Sequence, residues 1–233
     1  MSLPFFFETE IPQLHSHFTL SEETSKHCIQ VLRMKAGGYL QLTNGLGVLY
    51  KAGIVSEDKK KTVVLIEEAT TIPAPSKKIS IGISLLKTTT RFEWFLEKAT
   101  EIGVTEIQPV IASRTEHHRF RHDRMNAILI AAILQSQQAW LPVLQEPVAY
   151  ADLVKKSTHA QKLIAHCGED SKQFIRDLAI STDTQILIGP EGDFSLEEIK
   201  LALDNHYLPV SLGGTRLRAE TAGVVAVTLL ANR

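Results

Sequence analysis

Residues 71–76, Thr71-Ile72-Pro73-Ala74-Pro75-Ser76, separate two stretches of different hydrophobic period. Two prolines in three residues fix φ and remove backbone donors, so a strand stops here and the connection is stiff. Before this point the pattern is that of short strands. Tyr39-Leu40-Gln41-Leu42-Thr43 alternates, and Asn44-Gly45 gives a turn signal. Residues 48–55 and 62–66 are further strand candidates, separated by the polar run 57–61. Ser21 can cap a short helix whose apolar side is Ile29, Val31 and Leu32. Several short strands with one helix predict a small closed or half-closed barrel.

After the break the pattern alternates between strand and helix. Strands are expected at 79–85, 107–111, 162–165, 185–188 and 210–212. Helices are expected at 90–102, 123–139, 195–203 and 217–230, the first stopped by Gly103 and the third capped by Ser195. This alternation predicts an α/β fold: a mostly parallel sheet with helices on both faces. A chain of 233 residues accommodates one large domain or two small ones. Its 44% hydrophobic content excludes disorder over most of its length. The longest apolar run, 127–134, falls far short of the ~20 residues of a membrane span. The N-terminus carries no basic, then apolar, secretory pattern. Two distant cysteines, Cys28 and Cys167, make no disulfide framework and suit small apolar fillers in a reducing cytosol. A net charge of −1 excludes a globally basic nucleic-acid binder but allows a local basic patch.

Two loops hold the residues most suited to chemistry. Leu187-Ile188-Gly189-Pro190-Glu191-Gly192-Asp193-Phe194-Ser195 runs from a buried strand end to a helix cap. Ligands of open α/β sheets bind beyond the carboxyl ends of strands, and Gly189 and Gly192 let the backbone approach one closely. An ordinary strand–turn–helix connection uses the same residue types. The second loop, Ser211-Leu212-Gly213-Gly214-Thr215-Arg216-Leu217-Arg218-Ala219-Glu220-Thr221, repeats the plan. Arginine at a helix start opposes the helix dipole, so Arg216 and Arg218 answer to another requirement, whereas Glu220 suits the dipole. Neither loop has the spacing of a phosphate loop, and no G-x-G-x-x-G follows the first strand of this half.

Residues 114–124 carry four arginines and three histidines against two acids. Arg114, Arg119 and Arg121 suit RNA phosphates, and Phe120 or a histidine suits a base. Lys26, Arg33 and Lys35 make a second basic patch. A solvated loop has the same composition. The adjacent histidines lack zinc spacing, so no metal is expected. Trp94 and Trp140 read as packing residues, and of the neighbours Trp94 and Phe95 only one can point inward.

The segments LIGPEGDFSLEEI and SLGGTRLRAETAGVVAV together resemble the paired knot loops of SPOUT-class methyltransferases. Within that class the chain is similar to the ribosomal RNA small subunit methyltransferase E family. SKHCIQVLRMKAGGYLQLTNG resembles the family's PUA-like RNA-binding domain, and LLKTTTRFEWFLEKATEIGVTEIQPVIASRTEH the opening of its catalytic domain. LQSQQAWLP matches a third segment less well.

The resemblance implies a PUA-like β-barrel over 1–72 and a SPOUT α/β domain with a deep trefoil knot over 77–233, assembled as a homodimer. It implies an S-adenosylmethionine-dependent enzyme of the cytoplasm. The substrate would be N3 of a uridine in the decoding region of 16S ribosomal RNA, within the assembled small subunit. Leu187, Ile188, Gly189, Pro190, Glu191, Gly192, Leu212, Gly213 and Leu217 would hold the cofactor. Arg218 would stabilise the charge developing on the base, Arg216 could substitute, and Glu220 could orient Arg218. Three departures from the family pattern stand out: Asp193 at a position usually glycine, Thr215-Arg216 where arginine precedes an aliphatic residue, and Leu134 with Gln138 where a glutamate and a basic residue are common. Two other readings remain: an RNA-binding ribosome-assembly protein without catalysis, and a SPOUT enzyme acting at another RNA position.

Overall fold

The computed structural model describes residues 3–168 and 172–232. The chain divides into two units, one of residues 1–74 with 133–141, the other of residues 75–132 with 142–233.

The first unit contains β1 (Phe5–Phe7), β2 (His17–Thr19), α1 (Glu22–Lys26), β3 (Tyr39–Thr43), β4 (Val48–Ser56) and β5 (Val63–Thr71). Among the described residues these strands form one curled sheet in the order β1-β3-β4-β5-β2, parallel only at β1–β3. The alternation in β3 sends Leu40 and Leu42 into a core with Phe6, Ala52, Ile54, Val64 and Ile66. Ser21 caps α1, accepting the Thr24 N–H at 3.3 Å while its own hydroxyl donates to Glu8 Oε1 at 2.8 Å.

The helix then runs into a π-helical turn, His27–Val31, whose extra residue rotates the following side chains. Val31 is 65% exposed and Leu32 is exposed as well, while Cys28 takes the buried position with Ile29 packed beside it. The apolar side expected at Ile29, Val31 and Leu32 is therefore Cys28 with Ile29. Burial, with the charge of Glu8 adding to it, pushes the Cys28 thiol up to about 12, so it remains a neutral packing group. In the returning segment, Trp140 donates its indole N–H to the carbonyls of Ile72 and Pro73 at 3.1 Å each, which fits its reading as a packing residue.

The second unit contains β6 (Lys78–Ser84), α2 (Thr89–Ile102), β7 (Glu106–Ile111), α3 (His122–Gln135), β8 (Val143–Leu144), β9 (Val148–Ala149), α4 (Tyr150–Lys156) and β10 (Gln161–Ala165). It continues with β11 (Gln173–Phe174), β12 (Asp183–Ile188), α5 (Leu196–Asp204), β13 (Leu208–Ser211) and α6 (Ala219–Ala231). Helix α3 ends before the expected residue 139, and Gln137 beyond it takes a left-handed φ of 57°. The last turn of α3 falls in the first unit.

Among the described residues every pairing in this unit's sheet is parallel, in the order β11-β13-β10-β12-β6-β7-β8, with β9 also on β7. Strands covered on both faces are buried along nearly their whole length, as β6 and β12 are, with Ser80, Ser84, Thr184 and Gln185 buried among their apolar residues. Alternation in β6 assigns the helices to faces. A Cβ at Gly82 would meet Leu153 of α4 at 2.9 Å, whereas the next residue, Ile83, faces Gly223 of α6. Helices α4 and α5 pack together, as do α2 and α6. Gly223 makes the second pairing possible, because a Cβ there would stand 2.6 Å from the Phe95 ring. After β13 the chain turns back, so α6 also touches β6 and β12.

Candidate active site at the carboxyl ends of three strands

Strand β10 lies between β12 and β13, with Ala165 opposite Ile188 on one side and Val210 on the other. Three parallel strands thus end at one level, and the loops that follow them open to one side. Together they line a cavity of about 640 Å³, a volume suited to a cofactor-sized ligand.

The loop after β12 is tightly held. Asp193 N–H donates to the Pro190 carbonyl at 2.9 Å, closing a turn that leaves Asp193 with φ 63°. Left-handed backbone favours glycine but is open to aspartate, which explains how Asp193 fills this place. Its carboxylate accepts the Phe194 N–H at 2.8 Å and, from the loop after β10, the Cys167 N–H at 2.7 Å. A Cβ at Gly189 would lie 3.1 Å from the Phe194 nitrogen, a contact tight enough that the turn would have to open slightly to admit one. Glu191 accepts the Lys87 N–H at 3.1 Å, and Arg114 donates to the Gly192 carbonyl at 2.6 Å. On the β10 side, the Lys172 ammonium donates to the carbonyls of His166 and Gly168.

The loop after β13 has a different character. The Ser211 hydroxyl donates to the Gly213 carbonyl at 3.0 Å, and a Cβ at Gly213 or Gly214 would meet nothing within 4 Å. Arg216 and Arg218 are exposed and line the cavity. Helix α6 starts at Ala219, two residues later than expected, with Arg218 as its N-cap. Both arginines therefore lie before the helix, in the loop, where the dipole argument against them weakens.

Of the nine residues expected to hold a cofactor, Ile188, Gly189, Pro190, Glu191, Leu212, Gly213 and Leu217 line the cavity. Leu187 points instead into the core with Val154 and Ile164, as strand alternation requires. Gly192 serves through its carbonyl bond to Arg114. The apolar faces of Ile188, Pro190, Leu212 and Leu217 can enclose a flat ring, and the bare backbone at Gly213 and Gly214 can read its edge. This lining fits the adenosine part of S-adenosylmethionine.

A second cavity, of about 570 Å³, shares Arg216, Leu217 and Arg218 with the first. Glu220 belongs to it and not to the first, together with Arg91 and Trp94 of α2. The Glu220 carboxylate is buried, with Oε1 3.7 Å from Arg91 Nε. Sequence reasoning did not find Arg91. Its only sequence signal is its position in the first turn of a helix.

The residues expected to bind RNA are dispersed. Lys26, Arg33 and Lys35 are exposed in the first unit, with Lys35 Nζ 3.1 Å from Glu57. Arg119 and Arg121 are exposed in the second unit. Arg114 is a loop-holding residue, and Arg124 is paired with Glu93 at 2.5 Å. Phe120 is half-buried, edge-on to Phe92 with centroids 6.3 Å apart, so it is a packing residue and not a free stacking platform. No cluster suited to a metal exists among the described residues, and no helix among them is long and apolar enough to cross a membrane.

Comparison with known proteins assigns both units. A family model described as an RNA methyltransferase domain matches residues 73–231, and one described as an RNA methyltransferase PUA domain matches residues 20–67. The ribosomal RNA small subunit methyltransferase E of Rickettsia conorii is 27% identical over 91% of this chain and 88% of its own length. A Legionella pneumophila protein solved with the cofactor SAM bound is 30% identical, with a TM-score of 0.90 over 100% of this chain and 98% of that one. The ribosomal RNA small subunit methyltransferase E of Neisseria gonorrhoeae, solved bound to S-adenosyl methionine, is 25% identical, with a TM-score of 0.87 over 99% of this chain and 98% of that one. With matching models in both units and relatives aligned over nearly its whole length, the chain belongs to the ribosomal RNA small subunit methyltransferase E family.

Proposed function

We propose that this protein transfers a methyl group from S-adenosylmethionine to N3 of a uridine in the decoding region of 16S ribosomal RNA. It does so on the assembled small subunit, as a homodimer in the cytoplasm. The curled sheet of the first unit closes into a PUA-like barrel that grips RNA, and the return of α6 across the sheet belongs to a trefoil knot. The observation that carries the reading is the junction of the two cavities. One is lined by glycines and apolar side chains suited to a nucleoside, the other by arginines and a buried carboxylate, and they meet at Arg216, Leu217 and Arg218.

The cofactor supplies an activated methyl group, and the chain's own residues do the rest. Positioning provides much of the rate of an in-line displacement, and the pinned loop at Gly189, Pro190, Glu191 and Asp193 supplies it. The uridine N3 carries a proton at neutral pH, which must leave before or during attack. Arg218, with Arg216 beside it, stabilises the negative charge that develops on the base. Glu220 holds Arg91, whose Nε lies 3.7 Å from its Oε1, at the edge of this site. Arg33, Lys35, Arg119 and Arg121 are exposed cations suited to ribosomal RNA phosphates, and Lys26 extends the first patch.

Two binding units gain avidity only when both engage at once, so assembled subunits are expected to be better substrates than short naked RNA. Calorimetric titration of the purified protein with S-adenosylmethionine tests the base of this reading. Saturable binding is expected, and its absence contradicts the reading. RNA binding that persists without methyl transfer to any substrate favours the assembly-protein alternative.

A further inference from the structure

The second cavity has contents that cofactor binding does not use. Its walls come from the N-terminal turns of α2 and α6 and include Thr90, Arg91, Trp94, Glu220 and Thr221. Helix α2 buries Phe92, Phe95, Leu96 and Ala99. Trp94 lies off that face and is 42% exposed. Burial of this ring is the usual outcome for so large an apolar surface, yet here it stands at the rim of a cationic cavity. Three guanidinium-bearing side chains, of Arg91, Arg216 and Arg218, line this cavity together with one carboxylate, Glu220. Glu220 Oε1 lies 3.7 Å from Arg91 Nε, and Oε2 is buried with no hydrogen-bond partner among the described residues. A buried carboxylate oxygen left bare is costly, and its charge fixes the guanidinium beside it.

We propose that the second cavity seats the acceptor nucleotide, a pyrimidine nucleotide of single-stranded RNA turned out of its stack. Trp94 stacks on the base. Arg91 donates to its oxygens or to its phosphate. Glu220 is a positioning residue that acts through Arg91. Unstacked RNA bases are bound by this combination of an aromatic face and planar cations. The wall of Arg216, Leu217 and Arg218 is common to both cavities, so a nucleotide seated here lies beside a cofactor bound in the first. The inference rests on the function proposed above and adds the seat of its substrate.

Three variants test it on small ribosomal subunits that lack the modification: Trp94→Ala, Trp94→Phe and Arg91→Ala. The readouts are KM for subunits, kcat, the Kd for S-adenosylmethionine by calorimetry, and mass by sedimentation velocity. Trp94→Ala and Arg91→Ala are expected to raise KM for subunits about tenfold, in the range of a single base–aromatic stack, with cofactor affinity and mass unchanged. Trp94→Phe keeps a ring and is expected to recover most of the loss. An unchanged KM in both alanine variants overturns the assignment, as does an equal loss of cofactor affinity. A fall to a smaller species in Trp94→Ala overturns it too, because a second copy of the chain then covers this ring. If the unaltered protein binds S-adenosylmethionine but transfers no methyl group to any RNA, the methyltransferase reading fails first and takes the inference with it. A normal unaltered protein with indifferent variants removes the inference alone.

Discussion

The two loops that frame the first cavity share a plan, a strand end followed by glycines and a helix, and have opposite constraints. The loop after β12 is tied at every step: Glu191 to the Lys87 N–H, Gly192 to Arg114, and Asp193 to Cys167 and Phe194. The loop after β13 holds itself by the short-range bonds of Ser211, and its glycines look into open space. Both follow a parallel strand and both contain two glycines, so glycine content does not decide the difference. Reach from elsewhere in the chain does. Arg114 comes from the β7–α3 connection, and Lys87 from the β6–α2 connection. One wall is a preformed seat. The other presents its arginines to whatever enters. This division suits a reaction with a small cofactor on one side and a large RNA on the other.

The largest expected effect lies on the open wall. Arg218→Ala is expected to lower kcat by about 10²–10³, the cost of removing one preorganised donor from a developing charge, while the Kd for cofactor changes little. A matching loss of cofactor affinity breaks the division of labour between the walls. The next contrast pits glycine against glycine. Gly189→Ala forces a Cβ toward the Phe194 nitrogen and is expected to cost about 1–3 kcal/mol of stability and to weaken cofactor binding. Gly213→Ala enters open space and is expected to stay within about 0.5 kcal/mol of the unaltered protein by denaturant melting.

Asp193→Ala is expected to weaken cofactor binding about tenfold, because the Cys167 N–H loses its acceptor and alanine fits the left-handed backbone poorly. Asp193→Gly is expected to fall between the two, since it keeps the backbone and loses the tie. Equal affinities for all three proteins would show that the tie is idle. The smallest effect concerns the thiols. Cys167 is exposed and lines the cavity, so bound S-adenosylmethionine is expected to slow its alkylation several-fold, while Cys28, buried and neutral, stays unmodified in the native protein. Mass spectrometry of the alkylated peptides reads both.

Sequence pattern reached the second unit further than the first. Strands β6, β7, β10, β12 and β13 are legible because each is a short apolar run between turn signals, and helices follow them at regular spacing. Strands β1 and β2 are three residues each, too short for a period to show. The apolar side of α1 was misplaced because a π-helical turn changes the angle per residue, which a 3.6-residue pattern cannot anticipate.

The cavity loops were legible as strand ends with glycines. Their supports were not, because Arg114 and Asp193 bond to backbone groups of distant loops, and such bonds leave no spacing signal. Trp94 and Phe95 show the same limit from another side. Adjacency says that only one ring turns inward, and packing against Gly223 selects Phe95. The return of residues 133–141 to the first unit likewise rests on tertiary bonds, from Trp140 to Ile72 and Pro73 and between the backbones of Ala139 and Gly47 and of Leu141 and Gly45, that nothing in LQSQQAWLP announces.

The most direct test of the account is transfer of a tritiated methyl group from S-adenosylmethionine to small ribosomal subunits lacking the modification, followed by nuclease digestion and mass identification of the labelled nucleoside. The account predicts label on N3 of one uridine in 16S ribosomal RNA, with Arg218→Ala nearly silent. Label on a ribose hydroxyl or another base, or none from a protein that binds the cofactor, would contradict it.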